Sequence, residues 1–355
     1  MNHFDRYLRT ELLWGYWLAA GVLVGIFSLV ALIEETGQLV KNDYGLAHMF
    51  YFVAMTAPGR FLDLLPLIVL MGSTLALGVL ASNQELIAAR ALGAADSRIT
   101  RVVLLTAVLV MAVSAAAAEW LVPELEEEAH ILRAARTSSN TAIRSGEGFW
   151  ARDGLRFVNI DRFLYGRIPQ GIDIYEIDPG QGVVRYTHAQ SARIRESGDW
   201  QLQGVLRKYP EQPSAPAERL ARVRWEPPIQ TEQIGALSVP PESMAPSDLF
   251  AYVSDLNARG ESSERYALAL WRGIATPLGG IAMALLAVPI AMTSTRQKSA
   301  AQRVFLAAAI GIVFYLLTRA MGFVGLLVDV NPALTTMGPF ALLALIALLT
   351  LRLRS

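Results

Sequence analysis

Apolar residues are concentrated in six long runs, each bounded by charged or turn-forming residues. A helix that crosses a bilayer needs about 20 consecutive apolar residues, and each run comes close to that length. We therefore predict six transmembrane helices, at residues 12–33, 64–81, 102–118, 267–292, 304–328 and 333–351. A shorter apolar segment, 46–58, is predicted as an interfacial helix or as a lead-in to the second span.

The region between the third and fourth spans has a different pattern. It begins with a charged helical stretch, ELEEEAHILRAAR, in which apolar positions repeat on one helix face. From Gly146 onward, short segments such as GIDIYEI alternate apolar and polar residues and are separated by turn signals. This period of two predicts an antiparallel β domain, a sandwich or barrel of roughly a hundred residues. A helix over 244–260 is predicted to lead back to the membrane.

The predicted fold is therefore an α-helical membrane protein with an antiparallel β domain inserted between the third and fourth spans. Its parts are residues 1–122 with three spans, 123–265 with the β domain, and 266–355 with three more spans. The composition agrees, because 53% hydrophobic residues and a mean hydropathy of +0.37 exceed the values of a typical soluble enzyme.

The chain lacks the residues that most catalytic and metal sites require. It has no cysteine, which excludes disulfides and thiolate chemistry, and its four histidines are scattered at positions 3, 48, 130 and 188. No G-x-x-x-x-G-K-[ST] or H-E-x-x-H motif occurs. We predict no catalytic residue, no metal site and no bound cofactor. The net charge of zero gives no bias toward nucleic acid.

Positive charges predict the orientation of the spans, because cytoplasmic loops carry an excess of lysine and arginine. The short loops on one side offer only Lys41 and Arg60. The other side carries Arg6, Arg9, Arg90, Arg98, Arg101, Arg296, Lys298, Arg303, Arg352 and Arg354. Both termini are therefore predicted to be cytoplasmic, with the β domain on the opposite side.

The segment between the second and third spans, SNQELIAARALGAADSRITR, predicts a short helix with its own start and stop signals. Ser82 and Glu85 have the spacing of a capping box. Arg90 suits the last turn of a helix, where a cation meets the negative end of the dipole. Gly93 can adopt the left-handed conformation that ends a helix.

This short helix over 82–93 has two interpretations. It is either an ordinary capped loop helix or a coupling helix that is presented to a cytoplasmic partner, such as the ATPase of a transporter. Asp96 or Ser97 is predicted to cap the span that follows. At about ten residues, the helix is too short to cross a bilayer.

Charged residues near the outer ends of the spans are the best candidates for a binding site, because they are costly to bury in a membrane. They are Glu34, Glu35, Lys41, Arg60, Asp63, Arg133, Arg136 and Arg319. Singly, each could extend to the lipid headgroups. Together, cations above an apolar wall suit a large amphiphile with anionic headgroups. Arg272 is predicted to be structural and to pair with a carboxylate.

Four segments together resemble a known family. They are the opening FDRYL, the short helix SNQELIAARALGA, the segment GEGFWARDGLRFVNI and the run IGIVFYLL in the fifth span. With the order of three spans, a β domain and three spans, they resemble the lipopolysaccharide-export permeases LptF and LptG over essentially the whole chain. The segments look more like the LptG branch than the LptF branch.

The resemblance implies a fold, a set of partners and a transport reaction. It implies a periplasmic, jellyroll-like β domain and a heterodimer with an LptF-like permease in the inner membrane of a Gram-negative bacterium. It also implies an LptB-like ATPase dimer that binds ATP and Mg, an LptC-like single-span protein and an LptA-like periplasmic bridge. The expected function is to extract lipopolysaccharide from the outer leaflet and to pass it to that bridge.

The resemblance also assigns roles to residues of this sequence. The ATPase would bind the short helix, through Ser82, Glu85, Leu86, Arg90 and Gly93. Lipid phosphates would meet cations, at Lys41 and Arg133, with Arg60, Arg136 and Arg319 as further candidates. Glu34 stands where the LptG pattern carries a lysine, so Glu34 and Glu35 are assigned to contacts at a lateral gate instead.

Three alternatives stay open at this point. One is the role of the LptF paralogue. Another is a permease-like protein that carries no substrate and only transmits the motion of an ATPase to its external domain. A carrier needs a lipid-sized apolar chamber, whereas a transmitter can have tightly packed spans. An intramembrane enzyme would require a cluster of polar groups at mid-bilayer, for which Arg319 is the single candidate.

Overall fold

The computed structural model describes residues 3–39, 44–137, 143–145, 148–153, 155–164, 168–178, 180, 182–194, 199–210, 217–225, 240–258, 262–291, 300–328 and 330–352. Four residues that entered the predictions, Lys41, Arg296, Lys298 and Arg354, lie outside these ranges.

Ten α-helices occur in the part of the chain that is described. They are α1 (His3–Glu35), α2 (Leu46–Met55), α3 (Ala57–Ser82), α4 (Glu85–Ala91), α5 (Asp96–Trp120), α6 (Val122–Thr137), α7 (Pro246–Ala258), α8 (Glu264–Ala291), α9 (Ala300–Leu327) and α10 (Pro332–Arg352). Two short 3-10 helices cover Thr36–Gln38 and Pro241–Ser243. Six of the α-helices, α1, α3, α5, α8, α9 and α10, are long and apolar enough to cross a membrane, which confirms the predicted spans.

The strands form one antiparallel sheet. They are β1 (Ile143–Ser145), β2 (Gly148–Asp153), β3 (Arg156–Leu164), β4 (Ile168–Asp178), β5 (Gly182–Ile194), β6 (Trp200–Lys208) and β7 (Glu218–Trp225). Each strand pairs with its neighbour in sequence, so the order is β1-β2-β3-β4-β5-β6-β7, a meander. The predicted antiparallel β fold between the third and fourth spans is confirmed.

The chain folds into two compact units. The first unit contains residues 1–31, 56–123 and 245–355, and it therefore includes most of the six spans. The second contains residues 32–55 and 124–244, with α2, most of α6 and the sheet. The last turn of α1 and the whole of α2, which the sequence pattern places with the first three spans, thus pack within the second unit.

The core of the first unit depends on a close approach between α1 and α3. A Cβ atom built on Gly15 would overlap the carbonyl oxygen of Gly72, so only glycine fits there. Beside this crossing, the Tyr16 hydroxyl and the Ser73 Oγ share a hydrogen bond of 3.0 Å. Small residues that let helix backbones approach are typical of membrane helix packing.

The core of the second unit lies on one face of the sheet. Val158, Ile172 and Ile174 alternate with half-buried residues and are almost fully buried together with Trp200 and Leu202. The pairs Val158–Ile174 and Ile160–Ile172 lie opposite each other in register. Because side chains on one face of a strand recur every two residues, this register brings the predicted apolar positions onto one face.

Candidate functional site

The short helix α4 is held by one face and exposed on the other. Leu86 and Ala89 are buried. On the other face, Ile87 is 51% exposed, and just beyond the helix Leu92 is 89% exposed. The segment therefore presents an apolar surface outside the core, whereas Leu86, which the resemblance assigned to the ATPase contact, packs inward.

The end of α4 follows the sequence prediction. Gly93 has a φ of +90°. The Gly93 N–H donates to the Arg90 carbonyl at 2.9 Å, and the Ala94 N–H donates to the Ala89 carbonyl at 3.0 Å. These two bonds form a Schellman motif, which requires a left-handed residue after the helix. The predicted roles of Gly93 as terminator and of Arg90 as a cation in the last turn are confirmed.

The predicted start of α4 is wrong. Ser82 belongs to the last turn of α3, and its hydroxyl donates to the Val79 carbonyl at 2.8 Å instead of capping α4. The N-cap is Gln84, with a φ of 60° and no side-chain cap bond. The Glu85 carboxylate accepts a bond from Asn83 Nδ2 at 3.2 Å. The capping box does not form because the apolar run of α3 continues as helix through Ser82.

The predicted cap of the third span is also wrong in detail. The N-cap of α5 is Ala95, without a side-chain cap bond, and Asp96 lies in the first turn. There the Asp96 carboxylate accepts a bond from Arg90 Nε at 2.7 Å. An acidic group still meets the positive end of the helix dipole, but its partner is the last turn of α4 rather than its own backbone.

The first turns of α1 contact the linking segment. Arg98 Nε of α5 donates to Asp5 Oδ1 of α1 at 2.9 Å. The Tyr7 hydroxyl of α1 lies close to the Glu85 carboxylate at the start of α4. Two side chains of α1 thus contact the helix α4 and the start of α5.

Among the predicted lipid cations, Arg319 of α9 is paired with a carboxylate. Its Nη2 atom lies 2.6 Å from Asp63 Oδ2 of α3. The guanidinium also lies 5.4 Å from the centre of the Tyr315 ring. Both charged side chains remain partly exposed. The pair joins the second and fifth spans.

Arg60, a second predicted cation, forms polar contacts to neighbouring hydroxyl groups. Its guanidinium donates to Thr56 Oγ1 at 2.5 Å and to Ser28 Oγ at 3.4 Å. Neither acceptor is charged.

A small cavity lies beside the Asp63–Arg319 pair, between α3, α8, α9 and α10. Its volume is about 40 Å³, and its lining includes Asp63, Arg272, Arg319, Thr276 and Thr336. A space of this size accepts water molecules but no lipid chain. The lining contains two guanidinium groups and one carboxylate, so its formal charge is positive. Arg272 lines the same cavity as Asp63 and Arg319, and its predicted pairing with a carboxylate stays a prediction.

In the second unit, Arg133 of α6 is paired with Glu35 at the end of α1. The Nε–Oε1 distance is 2.8 Å, and the Glu35 side chain is almost fully buried. The guanidinium also lies 4.9 Å from the centre of the Phe52 ring. Burial, followed by the Glu35 carboxylate, raises the pKa of Tyr44. A predicted gate residue and a predicted lipid cation therefore contact each other.

The other predicted residues of this unit differ in placement. Glu34 and Arg136 are exposed, whereas Lys41 falls outside the described residues. His130 packs edge-on against the Phe52 ring with 5.4 Å between ring centres. Burial, with a smaller contribution from Arg133, lowers the pKa of His130 to about 4. His130 is therefore neutral at pH 7.

A groove on the sheet carries charged residues that the sequence pattern did not single out. Its volume is about 370 Å³, and its lining combines Leu202 and Trp225 with several arginines. Arg185 lies 3.0 Å from Glu176 on the neighbouring strand, and Arg207 lies 3.8 Å from Glu218. The alternation in β4 to β7 predicts the shared face of these residues, but their pairing depends on strand register.

Sequence reasoning missed several residues that complete these sites. Ile87 and Leu92 lie on the outer side of the segment ELIAARAL, so its amphipathic pattern was the available signal. Tyr7 and Phe52 carry no local signal, because their partners are distant in sequence. Within the described ranges, no group of three histidine, aspartate or glutamate side chains could hold a metal ion.

The fold and these sites define a class of protein. It is a multi-pass membrane protein with six spans, an inserted antiparallel sheet and a short linking helix with an exposed apolar face.

The comparison with known sequences agrees with this class. Residues 6–353 match the family described as lipopolysaccharide export system permease LptF/LptG, and the chain belongs to that family. It is 27% identical over 323 residues to the lipopolysaccharide export system permease protein LptG of Haemophilus influenzae, covering 91% of this chain and 90% of the relative. It is 25% identical over 346 residues to LptG of Escherichia coli K12, covering 97% and 96%.

Proposed function

We propose that this chain is a permease subunit of an ATP-driven exporter that extracts lipopolysaccharide from the outer leaflet of the inner membrane. It would pass the lipid to an LptA-like β-jellyroll bridge toward the outer membrane. The observation that carries the proposal is the family match over residues 6–353, which covers the spans, the short helix and the sheet together. In this function both termini are cytoplasmic and the β domain is periplasmic.

The ATPase is proposed to bind this chain at α4 and at Leu92, which follows the helix. The exposed side chains Ile87 and Leu92 offer apolar surface to a groove on an LptB-like dimer, which would bind ATP and Mg. Glu85, close to Tyr7, lies at the start of this helix and would add a charged contact. Leu86 supports the contact from within the core. Arg90 and Gly93 fix the end of the helix.

The proposed second permease would complete a lipid chamber. In the most apolar segment of α3, 83% of the residues are buried within this chain. The corresponding share is 22% in α1 and 11% in α9. The cavity of about 40 Å³ beside Asp63 and Arg319 is far too small for a lipid. A chamber would therefore form between the uncovered faces of α1 and α9 and an LptF-like partner. An LptC-like helix would lie beside the same spans.

The proposed headgroup site uses the outer cations. Arg60, Arg133, Arg136, Arg319 and Lys41 would meet lipid phosphates, and Glu34 and Glu35 would lie at the lateral gate. Replacing Lys41 and Arg133 together by glutamine is expected to reduce crosslinking of the chain to lipopolysaccharide. Unchanged crosslinking would remove these two residues from the headgroup site.

A pull-down of the tagged chain from detergent-solubilised membranes, followed by mass spectrometry of proteins and lipids, tests the proposal. An ATPase, a second six-span protein and lipopolysaccharide are expected together. An ATPase without lipid would instead support a transmitter that carries no substrate, and recovery of neither would contradict the proposal. An LptG-like protein as the second six-span chain would assign this chain to the LptF role.

A further inference from the structure

The Asp63–Arg319 ion pair has two properties that would allow another anion to replace Asp63 as the partner of Arg319. It is short, at 2.6 Å, yet Asp63 is 45% exposed and Arg319 is 30% exposed, so an incoming anion can reach both groups. The pair is also formed across two spans whose residues are 256 positions apart in sequence. A contact of this kind ties α3 to α9 without belonging to the apolar core.

The surroundings of Arg319 favour an anion. Arg272 lines the same cavity and adds a second guanidinium group to the lining that holds Asp63 and Arg319. The hydroxyls of Thr276 and Thr336 donate to backbone carbonyls of their own helices. They therefore compete little with Arg319 for a bound anion. A planar guanidinium binds carboxylate and phosphate with the same donor geometry. Asp63 and a phosphate group are therefore alternative ligands of Arg319.

We propose that Asp63 occupies the anion position of a phosphate-binding site at Arg319, and that the phosphate of a lipid headgroup displaces it. This inference rests on the proposed function, and it adds a competitor within the chain. When the phosphate binds, Arg319 no longer holds Asp63, and α9 loses its ionic tie to α3. Binding of the headgroup thereby loosens the fifth span, and departure of the lipid restores the pair.

The packing of α9 makes this tie consequential. Only 11% of the residues in the apolar window of α9 are buried, so most of this helix is not covered by the described chain. Its close contact with α3 is at Gly311, where an added Cβ atom would overlap Leu67 Cδ1. Without the ion pair, α9 would keep this apolar contact with α3 and lose the charged contact nearer its carboxyl end.

The test compares lipid affinities of variants purified as the full chain with its co-purifying proteins. The probes are lipopolysaccharide, phosphatidylglycerol and inorganic phosphate, each titrated against the protein in nanodiscs. Asp63→Asn removes the competitor and keeps Arg319, so it is expected to bind lipopolysaccharide about two- to fivefold more tightly, the range of a partly exposed ion pair. Arg319→Gln is expected to weaken binding, and the double variant should bind like Arg319→Gln alone.

The outcomes separate the sources of the anion and the two proposals. A gain with lipopolysaccharide alone assigns the site to that lipid, and a gain with all three probes assigns it to phosphate in general; both support the exchange. Unchanged or weaker binding by Asp63→Asn overturns the exchange, even if wild-type binds lipopolysaccharide. Failure of wild-type to bind lipopolysaccharide would count against the proposed function instead. Asp5→Asn, which breaks the pair with Arg98 near the other end of the spans, is the matched control and should leave the affinities unchanged.

Discussion

The exposed leucine after α4 offers the sharpest test of the proposed ATPase contact. Leu92 is 89% exposed, so nearly all of its apolar surface is available to a partner. Leu92→Ala removes three carbon atoms, and each buried carbon group contributes roughly 0.8 kcal/mol. If the partner covers the side chain, the substitution costs about 2 kcal/mol of binding free energy. That corresponds to roughly a 30-fold weaker complex.

The assay is the affinity of the purified ATPase for the permease in nanodiscs, measured together with the rate of ATP hydrolysis. Phe250→Ala on α7 is the matched control, because Phe250 is also largely exposed and belongs to a helix outside the spans. Leu86→Ala tests the buried face of α4, and it should lower the stability of the chain by about 2–5 kcal/mol. Wild-type affinity of Leu92→Ala, or an equal loss for Phe250→Ala, would refute the docking face.

Three further predictions concern backbone and burial. Gly93→Ala places a side chain at a φ of +90° and should cost about 1 kcal/mol; equal thermal stability of variant and wild type would contradict it. Gly15→Val should abolish accumulation in the membrane, because its Cβ would overlap a backbone oxygen, whereas Gly21→Ala meets nothing within 4 Å and should be tolerated. Because burial lowers the pKa of His130 to about 4, stability should fall as the pH drops from about 6.5 toward 4. The fall should be smaller in His130→Gln, and an identical pH profile of the two proteins would exclude His130 as its source.

The spans and the sheet could be predicted because their signals are local and repeated. Each membrane helix needs a long apolar run, and each strand of the sheet repeats with a period of two. The end of α4 was predicted for the same reason, since Gly93 and Arg90 act within one turn. The start of α4 was not predicted, because Ser82 fits both the N-cap of α4 and the last turn of α3. In the structure the longer helix, α3, includes Ser82.

The pairing of the charged residues could not be predicted from the sequence. Arg319 and Asp63 are separated by 256 positions, and the contact depends on how α3 and α9 pack. Arg133 and Glu35 were assigned to different roles, yet they form one ion pair. Charge and position identified these residues as important, whereas their partners are a property of tertiary packing.

The two left-handed residues around α4 have a mechanical consequence. Gln84, with a φ of 60°, precedes the helix, and Gly93, with a φ of +90°, follows it. Gln84 bears a conformational cost of roughly 1 kcal/mol that glycine would avoid, but its side chain also restricts the backbone. The Gln84 N–H donates to the Ala81 carbonyl of α3, and Arg90 of α4 donates to Asp96 of α5, so both connections are held by hydrogen bonds. A displacement of α4 is therefore passed to α3 and to α5 together.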